Sequence, residues 1–161
     1  MNYSSYGTEK KRAFEKDYET YIRDIYRLCF SFMKNHMDAE DVVQETFLKY
    51  YNLDSEFESE AHKKAWLIVT ASNCCKNRLK HWWRQRKNID DFTETIGDDR
   101  PEIDEMMEII IKLPAKYKTV IYLYYYEGYN SREIAKLLNK PESTIRTYLQ
   151  KAKKILKEKL D

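Results

Sequence analysis

AHKKAWLIVTASNCCKNRLKHWWRQRK, Ala61–Lys87, carries eight Lys/Arg, no Asp or Glu, and all three Trp of the chain. It lacks Gly and Pro, and its helix-forming residues predict one long helix. At the helical repeat, Ala65, Ile68, Ser72, Cys75, Leu79 and Trp82 fall on one apolar-to-small face. Asn73, Asn77, Lys80 and Arg84 fall on another, with Lys76, Trp83 and Lys87 beside it. A buried stripe opposite an Asn/Lys/Arg stripe suits a polyanion with readable base edges. A solvated basic face on a purely structural helix accounts for the same pattern equally well.

The composition around this stretch points to an all-α protein. The 161 residues allow one medium domain or two small ones, and only three Gly and three Pro interrupt them. No apolar run approaches the roughly 20 residues that span a bilayer. The opening MNYSSYGTEKKRAFEKD has no apolar signal core, so a cytosolic protein without membrane insertion is expected. Cys29, Cys74 and Cys75 lie in apolar helical patterns and read as buried free thiols. His36, His62 and His81 share no ligand spacing with them, so neither a metal site nor a cofactor is expected.

The net charge of +2 conceals blocks: −5 over residues 1–60, +8 over 61–87, −7 over 88–112 and +6 over 113–161. Two basic segments separated by an acidic one imply two polyanion-facing surfaces and an acidic spacer.

Phe14, Tyr18, Tyr21, Ile22, Ile25, Leu28, Cys29 and Phe32 predict an amphipathic helix from about Ala13 to Lys34. Asn35, His36 and Met37 read as a short connection. Asp38 reads as the N-cap of a helix from Ala39 to about Tyr51, with Asp41 as its capping partner. That helix buries Val42, Val43, Thr46, Phe47 and Tyr50, and shows Asp41, Gln44, Glu45, Leu48 and Lys49 on its other side. Asn52–Glu60 reads as an acidic loop whose single aromatic, Phe57, more simply tucks onto its own domain than binds anything.

Asn88–Pro101 is acidic, holds Gly97 and Pro101, and reads as a domain boundary. A helix from about Glu102 to Lys112 follows, with Ile103, Met106, Met107, Ile110 and Leu113 inward. Pro114 stands at or near the start of the next helix, where its missing N–H costs nothing. In that helix Leu113, Tyr117, Val120, Ile121, Tyr124 and Tyr125 form one broad core face, and Gly128 is the expected left-handed stop.

From Asn130 the pattern sharpens. Asn130 with Glu133 reads as a capping box opening a short helix with Ile134, Ala135, Leu137 and Leu138 inward. The turn Asn139-Lys140-Pro141 leads to a longer helix with Ile145, Leu149, Ala152 and Leu156 inward. Its outer face holds Thr144, Arg146, Thr147, Gln150, Lys151, Lys153 and Lys154. Short helix, tight turn and longer helix with a polar-basic face is the helix-turn-helix pattern. Arg, Thr and Gln near the start of the second helix can reach base edges and the later lysines phosphates, although helical pairs of this kind also occur in purely structural bundles.

Taken together, DAEDVVQETFLKYY (Asp38–Tyr51), AWLIVTASNCCKNRL (Ala65–Leu79), LPAKYKTVIYLYYYEGYNSREIAKLL (Leu113–Leu138) and PESTIRTYLQKAKKIL (Pro141–Leu156) resemble bacterial RNA polymerase sigma factors of the small, two-domain extracytoplasmic-function (ECF) type. The resemblance implies an all-α chain: a region-2-like domain over 1–87, an acidic linker over 88–101, and a region-4-like helix-turn-helix domain over 102–161. It implies that Asp41, Gln44, Glu45, Leu48 and Lys49 dock on the clamp helices of the polymerase's largest subunit. The second domain would meet the flap of the second-largest subunit.

For promoter DNA, the resemblance assigns the −10 element to Phe57, Asn73, Lys76, Asn77, Lys80 and Arg84, with the loop Asp54–His62 capturing a flipped base. It assigns the −35 element to Thr144, Arg146, Thr147, Gln150, Lys151, Lys153 and Lys154. Many members of that family are held inactive by an anti-sigma factor, which makes such a protein a candidate partner. Asn77 stands where many relatives carry Asp, and Pro141 where a Ser cap is common.

Two functional classes compete on these residues. One is an alternative sigma factor, a specificity subunit with no catalytic chemistry of its own. The other is a stand-alone regulator that uses only the helix-turn-helix. An enzyme has little support, since no nucleophile constellation, paired catalytic carboxylates or Gly-rich phosphate loop stands out.

Overall fold

The computed structural model describes residues 3–85 and 104–160. Among these residues the regular elements are α1 (Tyr3–Met33), α2 (His36–Tyr51), α3 (Glu60–Gln85), α4 (Glu105–Lys112), α5 (Ala115–Tyr125), α6 (Ser131–Leu138) and α7 (Glu142–Leu160). The chain is all-α and forms two helical domains, α1–α3 and α4–α7. The acidic stretch Asn88–Pro101, with Lys87 before it and Ile103 after it, lies outside the described residues.

In the first domain the three helices pack on one another. Ile25, Leu28, Cys29, Val42, Phe47, Leu67, Ile68 and Cys75 interlock as its core. Complete burial of a side chain such as Phe47 contributes on the order of 1.5–3 kcal/mol. All three cysteines are free and buried in this core, and no described helix is long and apolar enough to cross a membrane.

Helix α1 starts at Tyr3, about ten residues before the periodic pattern sets in. Its end is decided at Lys34, whose positive φ of 64° breaks the helix. Asn35, not Asp38, is then the N-cap of α2. Asn35 is extended, its Oδ1 accepts from the Asp38 amide at 2.9 Å, and its Nδ2 donates to Asp38 Oδ2 at 2.6 Å. His36 and Met37 therefore belong to the first turn instead of a connection, because Asn offers the same capping oxygen three residues earlier.

In the second domain, Asp104 caps α4 by accepting from the Met107 amide at 2.8 Å, so the helix begins after it and not near Glu102. Pro114 sits just ahead of α5. Gly128 has φ +74°, the left-handed stop expected of it. The capping box at Asn130 and Glu133 is fully formed, with bonds of 2.9 and 3.1 Å. Asn139 takes the left-handed C-cap of α6 at φ 53° and turns the chain into α7. Ile134, Ala135, Ile145, Leu149, Ala152 and Leu156 are buried between the two helices of this helix-turn-helix and α5.

Helix α5 departs from the one-sided face expected of it. Residues 117–123 are buried without a break, including Lys118, Thr119 and Tyr122, while Tyr125 is exposed. The reason is tertiary. One side of α5 packs on α4, α6 and α7, and the other packs on α1 and α3 of the first domain. The same contact explains why α1 is buried all round from Leu28 to Met33.

Candidate nucleic-acid interface

Helix α3 is anchored by Leu67, Ile68, Ala71 and Cys75. Its opposite side leaves Asn73, Asn77, Lys80 and Arg84 exposed in one line. Lys76 differs: it is half-buried, and burial together with repulsion from Lys140 and Lys80 pulls its ammonium below the usual lysine range. Lys140 belongs to the turn between α6 and α7, so the second domain leans on this end of the stripe. Trp83 beside the stripe is more than half exposed, at 56%.

The loop after α2 folds back onto its own domain. Phe57 packs against Tyr50, Trp66 and His62 with ring centroids 6.2, 5.8 and 5.5 Å apart. Beneath it is an open cavity of about 510 Å³ walled by Phe14, Tyr50, Tyr51 and Phe57. Its polar floor is fixed. Asp17 accepts from the Tyr50 hydroxyl and from Lys63 at 3.1 Å. Glu60 accepts from the Tyr21 hydroxyl and from Lys63 at 3.2 Å. Burial and the bond to Asp17 push the Tyr50 phenol up to about 12. Burial alone would lower Lys63, but the two carboxylates outweigh it and hold the ammonium charged. Aromatic walls over set donors and acceptors can hold a planar ring and test its edge.

On α7, Arg146, Thr147, Gln150, Lys151, Lys153 and Lys154 are exposed, and Thr144 is half-buried. Arg146 is paired with Glu142 one turn earlier at 2.8 Å, and Thr147 Oγ1 donates to the Ser143 carbonyl at 2.9 Å. Both side chains are thus parked on their own helix. Lys153 turns back towards α5, 3.3 Å from the Tyr124 hydroxyl and 4.5 Å from its ring centre. It stands apart from the outward row.

The exposed side of α2 forms a shallow groove that holds all five residues expected there, Asp41, Gln44, Glu45, Leu48 and Lys49. Leu48 is 61% exposed on its edge. Two side chains of α3 complete the groove: Trp66, and Arg78, which lies 3.4 Å from both Asp41 and Glu45. Arg78 was not singled out by the sequence. The available signal was a pair of carboxylates one turn apart on α2, which α2 itself answers only through Lys49, 4.0 Å from Glu45.

Comparison with known proteins converges on this architecture. The Sigma-70 region 2 family model matches residues 17–86, and the Sigma-70, region 4 model matches residues 103–156. The RNA polymerase sigma factor SigV of Bacillus subtilis is 30% identical over 86% of this chain and 85% of its own. The ECF RNA polymerase sigma factor SigW of the same organism is 28% identical over 92% of this chain and 89% of its own.

The chain belongs to the ECF-type RNA polymerase sigma factors.

The sigma factor also resembles in fold RpoE from Bartonella quintana, solved in complex with the anti-sigma factor NepR. The TM-score is 0.72 at 21% identity, over 92% of this chain and 97% of that one. As a member of its family the sigma factor directs transcription initiation and is a non-enzymatic subunit of RNA polymerase. Among the described residues no group of His, Cys, Asp and Glu is arranged to hold a metal ion.

Proposed function

We propose that this sigma factor docks on core RNA polymerase through the α2 groove, opens the −10 element along α3, and reads the −35 duplex with α7. The observation that carries the reading is the pairing of two solvent-open polar faces, Asn73–Arg84 on α3 and Arg146–Lys154 on α7, each backed by a buried apolar face. On α3, Asn73 and Asn77 offer amides to base edges, and Lys76, Lys80 and Arg84 grip phosphates. The cavity under Phe57 suits one unstacked base between aromatic walls. On α7, Arg146, Thr147, Gln150 and Lys151 face the major groove, Thr144 sits at its rim, and Lys154 meets backbone phosphates, joined by Lys153 only when its ammonium leaves Tyr124.

In the α2 groove, Leu48 supplies apolar contact, and Asp41, Gln44, Glu45 and Lys49 give it polar register. The domain division follows 1–87, 88–101 and 102–161, with the acidic linker between two basic domains and the flap of the second-largest subunit holding the second. The protein works in the cytoplasm, where polymerase is. An anti-sigma factor is a fitting regulator, given the fold likeness to RpoE, which was solved with NepR.

Unpairing and flipping a base costs a few kcal/mol, a cost that an isolated domain does not sustain without the polymerase trapping the strand. The test is therefore promoter binding with and without core polymerase, read by fluorescence anisotropy. Tight, specific binding only with core supports the proposal. Tight operator binding by the free chain, with no gain from core, overturns it in favour of a stand-alone regulator.

A further inference from the structure

Arg78 is the charged side chain through which α3 enters the α2 groove. It follows Asn77 directly, so its stem leaves α3 about 100° round the helix from the −10 stripe, on the side of α2. Its Nη1 lies 3.4 Å from Asp41 Oδ2, and its Nη2 3.4 Å from Glu45 Oε2. The Arg78 side chain is 28% exposed, against 54% for Asp41 and 42% for Glu45. The two carboxylates are therefore covered on their α3 side and open on the other. With Lys49 as the second cation of the groove, its four formal charges cancel.

This balance is loosely made. A charge-assisted bond to a carboxylate closes to about 2.7–2.9 Å, as Arg146 does with Glu142 at 2.8 Å and Lys64 with Asp24 at 2.9 Å. Arg78 spreads its fork over two carboxylates and closes on neither. A part-exposed pair of this kind adds little to folding. It does occupy the acidic groups that the proposed docking uses. Asp38, Glu40, Asp41 and Glu45 make the outward side of α2 mainly acidic, so the surface that fits it is cationic. A second cation brought to the same oxygens is repelled by the guanidinium already there.

We infer that Arg78 is an exchangeable counter-ion: it holds Asp41 and Glu45 in the free chain, yields them to a cationic group of core polymerase, and then grips a −10 phosphate beside Asn77. The step rests on the docking and −10 assignments proposed above. The long, flexible arginine stem lets the head swing from α2 to a strand laid along α3 while the helix stays in place. The head remains charged throughout, and a phosphate accepts its fork as a carboxylate does. Docking thus adds one cation to the DNA face. By reciprocity, the −10 strand must also tighten docking.

The test uses the full chain with core polymerase, as wild type, Arg78→Gln and Arg78→Lys. Removing the competing charge in Arg78→Gln should tighten core binding about two- to fivefold, the weight of one exposed ion pair. Holoenzyme is then titrated with a single-stranded oligonucleotide of the −10 element at several salt concentrations. For Arg78→Gln the plot of log affinity against log salt should be shallower by about 0.7, one phosphate contact fewer. Arg78→Lys keeps the charge and should restore the wild-type slope. The oligonucleotide should tighten core binding more for the wild type than for Arg78→Gln.

Core binding by Arg78→Gln that is unchanged or weaker would make Arg78 a brace of the docking face, and an unchanged salt slope would mean that it never reaches the strand. Either result overturns the exchange, and so does a slope that Arg78→Lys fails to restore. Asp41→Asn separates this outcome from failure of the docking assignment. It should weaken core binding with Arg78 or Gln at position 78; no loss in either background would remove the docking face and the exchange with it. Helicity and melting of each variant confirm that the domains stay folded.

Discussion

The Lys118 ammonium donates to the main-chain carbonyl of Ser31, capping the end of α1 from the other domain. The bond satisfies one of the carbonyls that every helix C-terminus leaves without a partner. The charge itself is poorly answered. Besides the carbonyl it meets the Phe32 ring, Lys34 of the same sign, and Cys75 from α3. Burial first, and Lys34 second, pull its pKa down to about 7.

A pH dependence follows, with a definite sign. The folded pKa lies below the ordinary lysine value near 10.4, so the folded state carries its full penalty below about pH 7 and sheds it as pH rises. Lys118→Met keeps the buried stem and removes the charge. It should raise stability at pH 7 by about 1–3 kcal/mol, and this gain should shrink by pH 9. Urea midpoints of the two proteins at both pH values check this; a gain independent of pH would mean the ammonium is not the source.

The capping box at Asn130 predicts a local effect. Asn130→Ala leaves the Glu133 amide without its side-chain acceptor and should cost about 0.5–2 kcal/mol. Thermal or urea unfolding measures it. The loss should fall on the helix-turn-helix, so hydrogen exchange should rise first in α6.

This cap was legible in the sequence because its signal is local: Asn, then Glu three residues on, then the apolar pair Ile134 and Ala135. Gly128 was legible for the same reason. The start of α2 was harder, since Asn35 and Asp38 both carry a capping oxygen and only the left-handed turn at Lys34 decides between them. The burial of Lys118 and Tyr122 was beyond local reading altogether. A periodic pattern reports that a face is apolar, not that a second domain covers the other side. For the same reason Arg78 was missed in the α2 groove, while Asp41, Gln44, Glu45, Leu48 and Lys49 share one helix face at helical spacing and were found together.

The α2 groove gives a prediction about the polymerase. Leu48→Glu combined with Gln44→Lys alters two exposed side chains and should leave helicity unchanged, because neither belongs to the core. Affinity for core polymerase should fall at least tenfold, about 1.4 kcal/mol. Undiminished affinity in a competition assay would remove this face from the docking surface.

Arg146 gives a prediction about sequence reading. Arg146→Ala should cost roughly 1–3 kcal/mol at one −35 base pair and relax selectivity there. The wild-type side chain must first leave Glu142, 2.8 Å away, so Glu142→Gln should strengthen promoter binding slightly. Binding to a panel of single-base −35 variants separates the roles. A uniform loss across the panel would identify Arg146 as a phosphate contact.

The most direct test of the central claim is run-off transcription with purified core polymerase, with transcript starts mapped by sequencing. The account predicts that core alone is inactive at the cognate promoter. Adding the chain should give one defined start, and Asn73→Ala with Asn77→Ala should abolish it without loss of core binding. Failure of the wild-type chain to direct any defined start, despite binding core, would contradict it.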